Sequence, residues 1–263
     1  MQVSPAALPA APGCSLAGST FVVIGGSGGI GREVVRQLAA RDARLVIAGR
    51  DAGRLAAAAQ LAPQSEVVEL DATDFAAVEA CLQRGRELGN GRLAGVASCV
   101  GSIVLKPSPA ISAAEWQQVI ATNLTTAFAV VRAAAKTMRD GGSVVLCSSA
   151  AASVGLANHE AIAAAKAGIE GLVLAAAASH AGRGLRCNAV APGLVRTDLS
   201  AALLGNVRTL VASQRMHALG RVGEPHEVAA AITWLLGPES AWVTGEVLHV
   251  DGGLARVRPV ERT

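Results

Sequence analysis

Along the chain, short runs of apolar residues alternate with longer segments in which apolar positions recur every three or four residues. The runs TFVVIGG, RLVIAGR, EVVELDA, LAGVASCVG, GSVVLCSS, LRCNAVAPG and EVLHVDGG are separated by about 20 to 45 residues. Each holds four to six apolar-rich residues, the pattern of a parallel strand buried on both faces. Between them lie helix-period segments such as REVVRQLAARD, SAAEWQQVIATNLTTAFAVVRAAAKTM and HEVAAAITWLLG. This alternation predicts an α/β fold: a doubly wound, seven-stranded parallel sheet with helices on both faces, in a single domain. One long interval, Thr197 to about Glu224, carries no strand signal and reads as an insertion of the kind that forms a substrate lid. Residues 1–17, rich in Ala and Pro, are expected to be a loose extension, with residues 18–263 forming the domain.

Composition narrows the picture. Aromatic residues are 2% and charged residues 16% of the 263, so the core must come from close packing of small aliphatics between helix and sheet. The net charge of +3 is scattered, with no run of Lys or Arg, which argues against a nucleic-acid partner and leaves a small anionic cofactor. Five widely spaced cysteines, with no CxxC pair and no clustered histidines, read as reduced cytosolic thiols and not as a metal site. The N-terminal residues lack the basic and apolar regions of an export signal. The segment GIEGLVLAAAASHAG, preceded by Lys166 and containing Glu170, falls short of a membrane span, so a cytoplasmic location with no membrane contact is expected.

Candidate chemistry begins at the first strand's exit, GGSGGIGREVVRQLA. Gly25, Ser27, Gly29, Ile30 and Gly31 form a G-x-x-x-G-x-G turn that opens a helix, where backbone N–H groups and the helix dipole favour a pyrophosphate. A purely structural tight turn would carry the same glycines. At the end of the second run stand Ala48, Gly49 and Arg50. Gly49 offers no carboxylate to a ribose 2′-hydroxyl, whereas Arg50 can pair with a 2′-phosphate, so NADP is favoured over NAD. Arg50 as a solvated loop residue, or Asp51 as the hydroxyl's partner, is the alternative. Asp71, after the third run, is placed to touch the adenine amino group or to act as a helix N-cap ahead of Asp74.

Together these residues resemble the short-chain dehydrogenase/reductase family, a Rossmann-like fold, over roughly Gly18 to Gly253. The resemblance implies that Asn123 in ATNLTTAF is an active-site asparagine, Ser149 in VVLCSSAAA a substrate-orienting serine, and Lys166, 17 residues later, the lysine that binds the nicotinamide ribose. It places Pro192, Gly193 and Thr197 of APGLVRT against the nicotinamide carboxamide. Where the family has Asn-Asn-Ala-Gly, this chain has Ser98, Cys99, Val100 and Gly101, of which Gly101 keeps the backbone opening. The family's proton-donating tyrosine would stand four residues before Lys166, where this chain has Ile162, and the chain contains no tyrosine.

Positions 162 and 166 share a helical face, so Lys166 still points where the tyrosine would have pointed. A surface lysine on an alanine-rich helix is the competing reading. His159, Lys166 itself, or Ser149 through a water are candidate proton donors, and His159 is equally an exposed residue at a helix start. An iminium substrate needs no acid. The expectation is an NADP(H)-dependent oxidoreductase acting on a small carbonyl, alcohol or imine, with a non-catalytic nucleotide-binding or scaffolding protein as the alternative. A homo-oligomer, tetramer or dimer, is expected through alanine-rich helices spanning Ser112–Met138 and Ala150–Ser179 and through the C-terminal strand.

Overall fold

The seven apolar runs are the seven strands of one parallel sheet in the computed structural model, which describes residues 15–258. In chain order they are β1 Thr20–Ile24, β2 Arg44–Gly49, β3 Glu66–Glu69, β4 Gly95–Ser98, β5 Gly142–Cys147, β6 Leu185–Pro192 and β7 Val247–Val250. Their spatial order is β3-β2-β1-β4-β5-β6-β7. The chain builds outward from β1 to β3, then returns to lay β4 on the other side of β1. Ile24 therefore has Ala48 as its neighbour on one side and Ser98 on the other. Loops leaving β1 and β4 run apart at this reversal, which opens a crevice at the carboxyl ends of the strands.

Nine helices among the described residues connect the strands: α1 Gly29–Ala39, α2 Ala52–Ala59, α3 Phe75–Leu88, α4 Ala113–Ile120, α5 Thr126–Thr137, α6 Glu160–His180, α7 Ala201–Leu204, α8 Val207–Met216 and α9 Pro225–Leu236. They divide between the two faces. Val34, Val35 and Leu38 of α1 and Val228, Ile232 and Leu235 of α9 pack on the side of Val23, Ile47 and Val145. Val78 and Leu82 of α3, Val130 and Ala134 of α5, and Ile169 and Val173 of α6 pack on the side of Val22, Val46 and Val144. Alternate residues of the central strands thus feed opposite cores, which keeps those runs apolar, whereas the edge strand β3 leaves Val67 exposed. Burying each of the larger aliphatics contributes ~1.5–3 kcal/mol.

Capping fixes the helix starts that frame the crevice. Asp51 accepts from Arg54 N at the start of α2, and Asp74 accepts from Ala76 N and Ala77 N at the start of α3. The N-cap reading of Asp71 is therefore set aside: Asp74 takes that role, and Asp71 binds Thr73 instead.

Three sequence expectations need amendment. Ala150–Ser179 is not one helix: a single 3₁₀ turn at Ala150–Ala152 precedes a loop in which Asn158 takes φ +63°, a left-handed conformation no helix accommodates, and α6 starts at Glu160. The interval from Thr197 lacks strands, as expected, but holds α7 and α8, and a parallel bridge between Val195 and Gly223 joins its two ends. The apolar segment judged too short for a membrane belongs to a longer one. Glu160–Arg183, 24 residues, holds an 18-residue stretch of mean hydropathy 1.6, long and apolar enough to cross a bilayer by length and composition, and 44% of that stretch is buried within the fold. Of the N-terminal extension expected at residues 1–17, and of Cys14 within it, all but residues 15–17 lie outside the described residues.

Candidate active site

The turn after β1 is a backbone cradle. Gly25 has φ +76°, and a Cβ there would lie 2.9 Å from the Cys99 carbonyl carbon at the end of β4. A Cβ on Gly31 would come within 2.2 Å of the Gly25 carbonyl oxygen, so only glycine allows the helix to start this close to the turn. Gly29 faces Thr197, whose Cγ2 would be 2.7 Å from an added Cβ, bringing the first residues of the β6–α7 connection against the start of α1. The N-cap of α1, Gly28, supplies no side-chain bond, and the first turn holds no acidic residue. Its N–H groups and positive dipole end are left to an external anion. Ser27 and Ile30 are partly buried in this turn, Ile30 packing on the core beneath α1. These features fit a dinucleotide pyrophosphate.

Arg50 leaves the end of β2 exposed, close enough to Asp71 to bear on its charge. Asp71 is held below the ordinary carboxylate range, first by the Thr73 backbone N–H at 2.9 Å, then by the Thr73 hydroxyl, and further by Arg50. Both expected adenosine contacts therefore stand at the same edge of the sheet. Sequence reasoning missed a second basic pair there. Arg54 donates to Asp198 at 2.9 Å and to the Ser27 carbonyl at 3.4 Å, and Arg32 lies 3.5 Å from the same carboxylate. Asp198 comes from the β6–α7 connection, and nothing in its local pattern distinguishes it from a solvated acid.

The other half of the crevice is built around Gly101. A Cβ there would lie 3.2 Å from Asn123 Oδ1 and 3.4 Å from Lys166 Nζ, so this glycine, the asparagine and the lysine converge. Asn123 is buried within a π-helical turn, Ala121–Thr125, between α4 and α5. Its amide is fully engaged: Nδ2 donates to Ser102 Oγ at 2.9 Å and the Val119 carbonyl at 3.0 Å, and Oδ1 accepts from Ser102 N at 3.1 Å. Ser102, unnoticed in the sequence, thereby fixes the loop after β4 on the π turn.

Lys166 reaches the same spot from α6. It is 6% exposed and donates to the Cys147 carbonyl at 2.8 Å, so the surface-lysine reading is set aside. Burial pushes its ammonium below the ordinary lysine range, opposed by the Cys147 and Cys99 sulfurs beside it. Ser149 follows Cys147 by two residues and accepts from Ala151 N at 3.2 Å, which leaves its O–H to donate. Next to it, Ser148 Oγ donates to Glu170 at 2.8 Å and to the Lys166 carbonyl at 3.3 Å, tying β5 to α6.

Ile162 is 5% exposed and packs with Val119, Ala161 and Ala165, against which Val104, Leu105 and Ile111 close from the loop after β4. His159, half-buried at the N-cap of α6, has Nδ1 2.7 Å from the Ala157 carbonyl. That nitrogen must carry the proton, leaving Nε2 as the basic one. Pro192 and Gly193 close β6. A Cβ on Gly193 would strike His217 Nε2 at 2.5 Å, and that nitrogen accepts from Leu194 N at 3.2 Å while Nδ1 donates to the Ser213 carbonyl at 2.6 Å. This buried histidine, also missed in the sequence, pins the end of α8 to the exit of β6.

Comparison with known proteins gives a consistent picture. Residues 25–255 match the family model described as enoyl-(acyl carrier protein) reductase. A 3-oxoacyl-acyl-carrier-protein reductase of Vibrio harveyi is 32% identical over 255 residues, covering 92% of this chain and all of that protein. A tropinone reductase homolog of Arabidopsis thaliana is 34% identical, covering 91% of this chain and 93% of its own length. A short-chain type dehydrogenase/reductase of Mycobacterium ulcerans superposes with a TM-score of 0.87 at 31% identity, covering 93% of this chain and 92% of that one.

Proposed function

Because the chain belongs to the short-chain dehydrogenase/reductase family of nicotinamide-dependent oxidoreductases, we propose that it is an NADP(H)-linked reductase of a small carbonyl or imine compound with an altered proton donor. The observation that carries this reading is Lys166, a buried ammonium held at the floor of the crevice beside Gly101 and Asn123 with no carboxylate partner. Burying a lysine this way is costly, and a polar ligand that binds it offsets the cost.

In this reading Gly25, Ser27, Gly29, Ile30 and Gly31 hold the pyrophosphate, Arg50 the 2′-phosphate and Asp71 the adenine. Lys166 binds the nicotinamide ribose against Gly101, and Pro192, Gly193 and Thr197 receive the carboxamide. The cofactor supplies a hydride. Ser149 orients the substrate's oxygen or nitrogen with its free O–H, and Asn123 holds the loop after β4 in place. Position 162 supplies no proton, so the donor is His159, Lys166 or a Ser149-bound water, or the substrate is an iminium ion, whose carbon takes the hydride to leave a neutral amine. The names of the relatives put a 3-oxoacyl thioester first among carbonyl substrates to try.

We extend the proposal to a cytoplasmic homo-oligomer, a tetramer before a dimer. Ala164, Ala167, Gly171, Leu174, Ala175 and Ala178 form an exposed apolar stripe on α6, and Trp242, before β7, is fully exposed. Small residues at that spacing let a second helix approach closely.

A second reading, a nucleotide-binding protein without turnover, draws on the packing of Ile162 into an apolar cluster. The two separate in a screen of 3-oxoacyl thioesters, ketones, aldehydes and cyclic imines for NADPH consumption. Turnover of any class supports the reductase, and NADPH binding without turnover across the panel supports the second reading.

A further inference from the structure

Cys99 directly follows β4, and Cys147 is the last residue of the neighbouring strand β5. Ser98 pairs with Leu146, so the register extended by one residue sets Cys99 beside Cys147, and Cys99 N still donates to the Ile24 carbonyl at 2.8 Å in continuation of the sheet. Neighbouring strands stand ~4.8 Å apart, inside the ~4.4–6.8 Å between Cα atoms that a disulfide spans. Both side chains lie on the face of Ala97 and Val145, two residues earlier in each strand. Each residue is partly exposed, whereas Cys81 and Cys187 are each 2% exposed in the core. Lys166 lies alongside, its Nζ on the Cys147 carbonyl.

We propose that Cys99 and Cys147 are an oxidant-sensitive dithiol that closes to a disulfide at the floor of the crevice when it meets a peroxide. Cys147 is the first to react. Its thiol is held below the ordinary range by the Cys99 S–H and by the Lys166 ammonium, against the opposing effect of burial. The Cys147 sulfur attacks one peroxide oxygen, the O–O bond breaks, and water leaves with the thiol proton, giving a sulfenic acid. The Cys99 sulfur then attacks that sulfur, the S–S bond forms, the S–O bond breaks, and a second water carries away the remaining proton. Two thiols are oxidised and one peroxide is reduced to two waters. The disulfide ties the ends of β4 and β5 beside Lys166. The nicotinamide reading uses neither sulfur, so the proposal stands whether or not that reading does.

The test is chemical and needs no turnover. The full chain is treated with hydrogen peroxide, alkylated with iodoacetamide and digested with trypsin without reduction. Arg132, Lys136 and Arg139 separate the two cysteines onto different peptides. The expected product is a linked pair carrying Cys99 and Cys147, lighter by two hydrogens, released by dithiothreitol and absent from Cys99→Ser and from Cys147→Ser. Recovery of both cysteines alkylated after peroxide, or of either as sulfinic acid with no linked pair, would overturn the proposal.

Discussion

Ile162 closes a small apolar cluster, so whatever is put in its place must first fit between Val119, Ala161 and Ala165. Replacing it by tyrosine costs ~1–3 kcal/mol of stability through overpacking, and a phenol one helical turn from Lys166 offers a general acid worth at most ~10²–10⁴-fold in rate. Ile162→Tyr is therefore expected to raise carbonyl reduction by less than that ceiling, while Ile162→Phe lowers thermal stability by a similar amount and raises nothing. Equal rates for the two variants, with NADPH still bound, would show that proton donation at 162 does not limit the protein. Asn123, Lys166 and the substituted position 162 were legible through the resemblance to the family, and helical periodicity added that 162 and 166 share a face. The convergence of Asn123 and Lys166 on Gly101 was not legible, since it depends on a π turn that is held by Ser102 from another loop.

At the scale of elements, the strands were legible because burial on both faces leaves an unbroken apolar run. The helices were less so: the alanine-rich stretch after β5 hides the break at Asn158, whose left-handed φ no local pattern announces. The register that sets Cys99 beside Cys147 joins residues far apart in sequence and is equally invisible before the sheet is known.

Helix α9 carries a further test. The Glu227 carboxylate accepts from the Glu224 backbone N–H at 2.8 Å and from Arg221 Nη1 at 2.8 Å, and Arg221, more than the other groups, holds its pKa down to about 2. A depressed carboxyl stabilises the fold above its unfolded pKa and loses that contribution as pH falls toward the folded value. Glu227→Gln should cost ~1 kcal/mol at neutral pH, the worth of a helix cap with a partly exposed ion pair. The difference from wild type should narrow between pH 4.5 and about 2 in denaturant titrations. A difference constant across that window would remove the ion pair from the account.

For the molecule as a whole, the fold and the crevice at the reversal between β1 and β4 followed from strand count and the glycine turn, whereas assembly and cofactor choice depend on surfaces. The exposed stripe on α6 predicts an oligomer: sedimentation at micromolar concentration should show a tetramer or dimer, and Leu174→Glu, which puts a charge in that stripe, should shift it toward monomer. A wild-type monomer would contradict the assignment. Whether this chain, without a tyrosine, keeps an NADP crevice intact is decided by a fluorescence titration of the full chain with NADPH and NADH. The expected result is saturable binding of one NADPH per chain, tighter than NADH, with the preference weakened by ~1–3 kcal/mol in Arg50→Ala through loss of a charge-assisted contact. Absence of saturable binding of either dinucleotide would contradict an intact crevice.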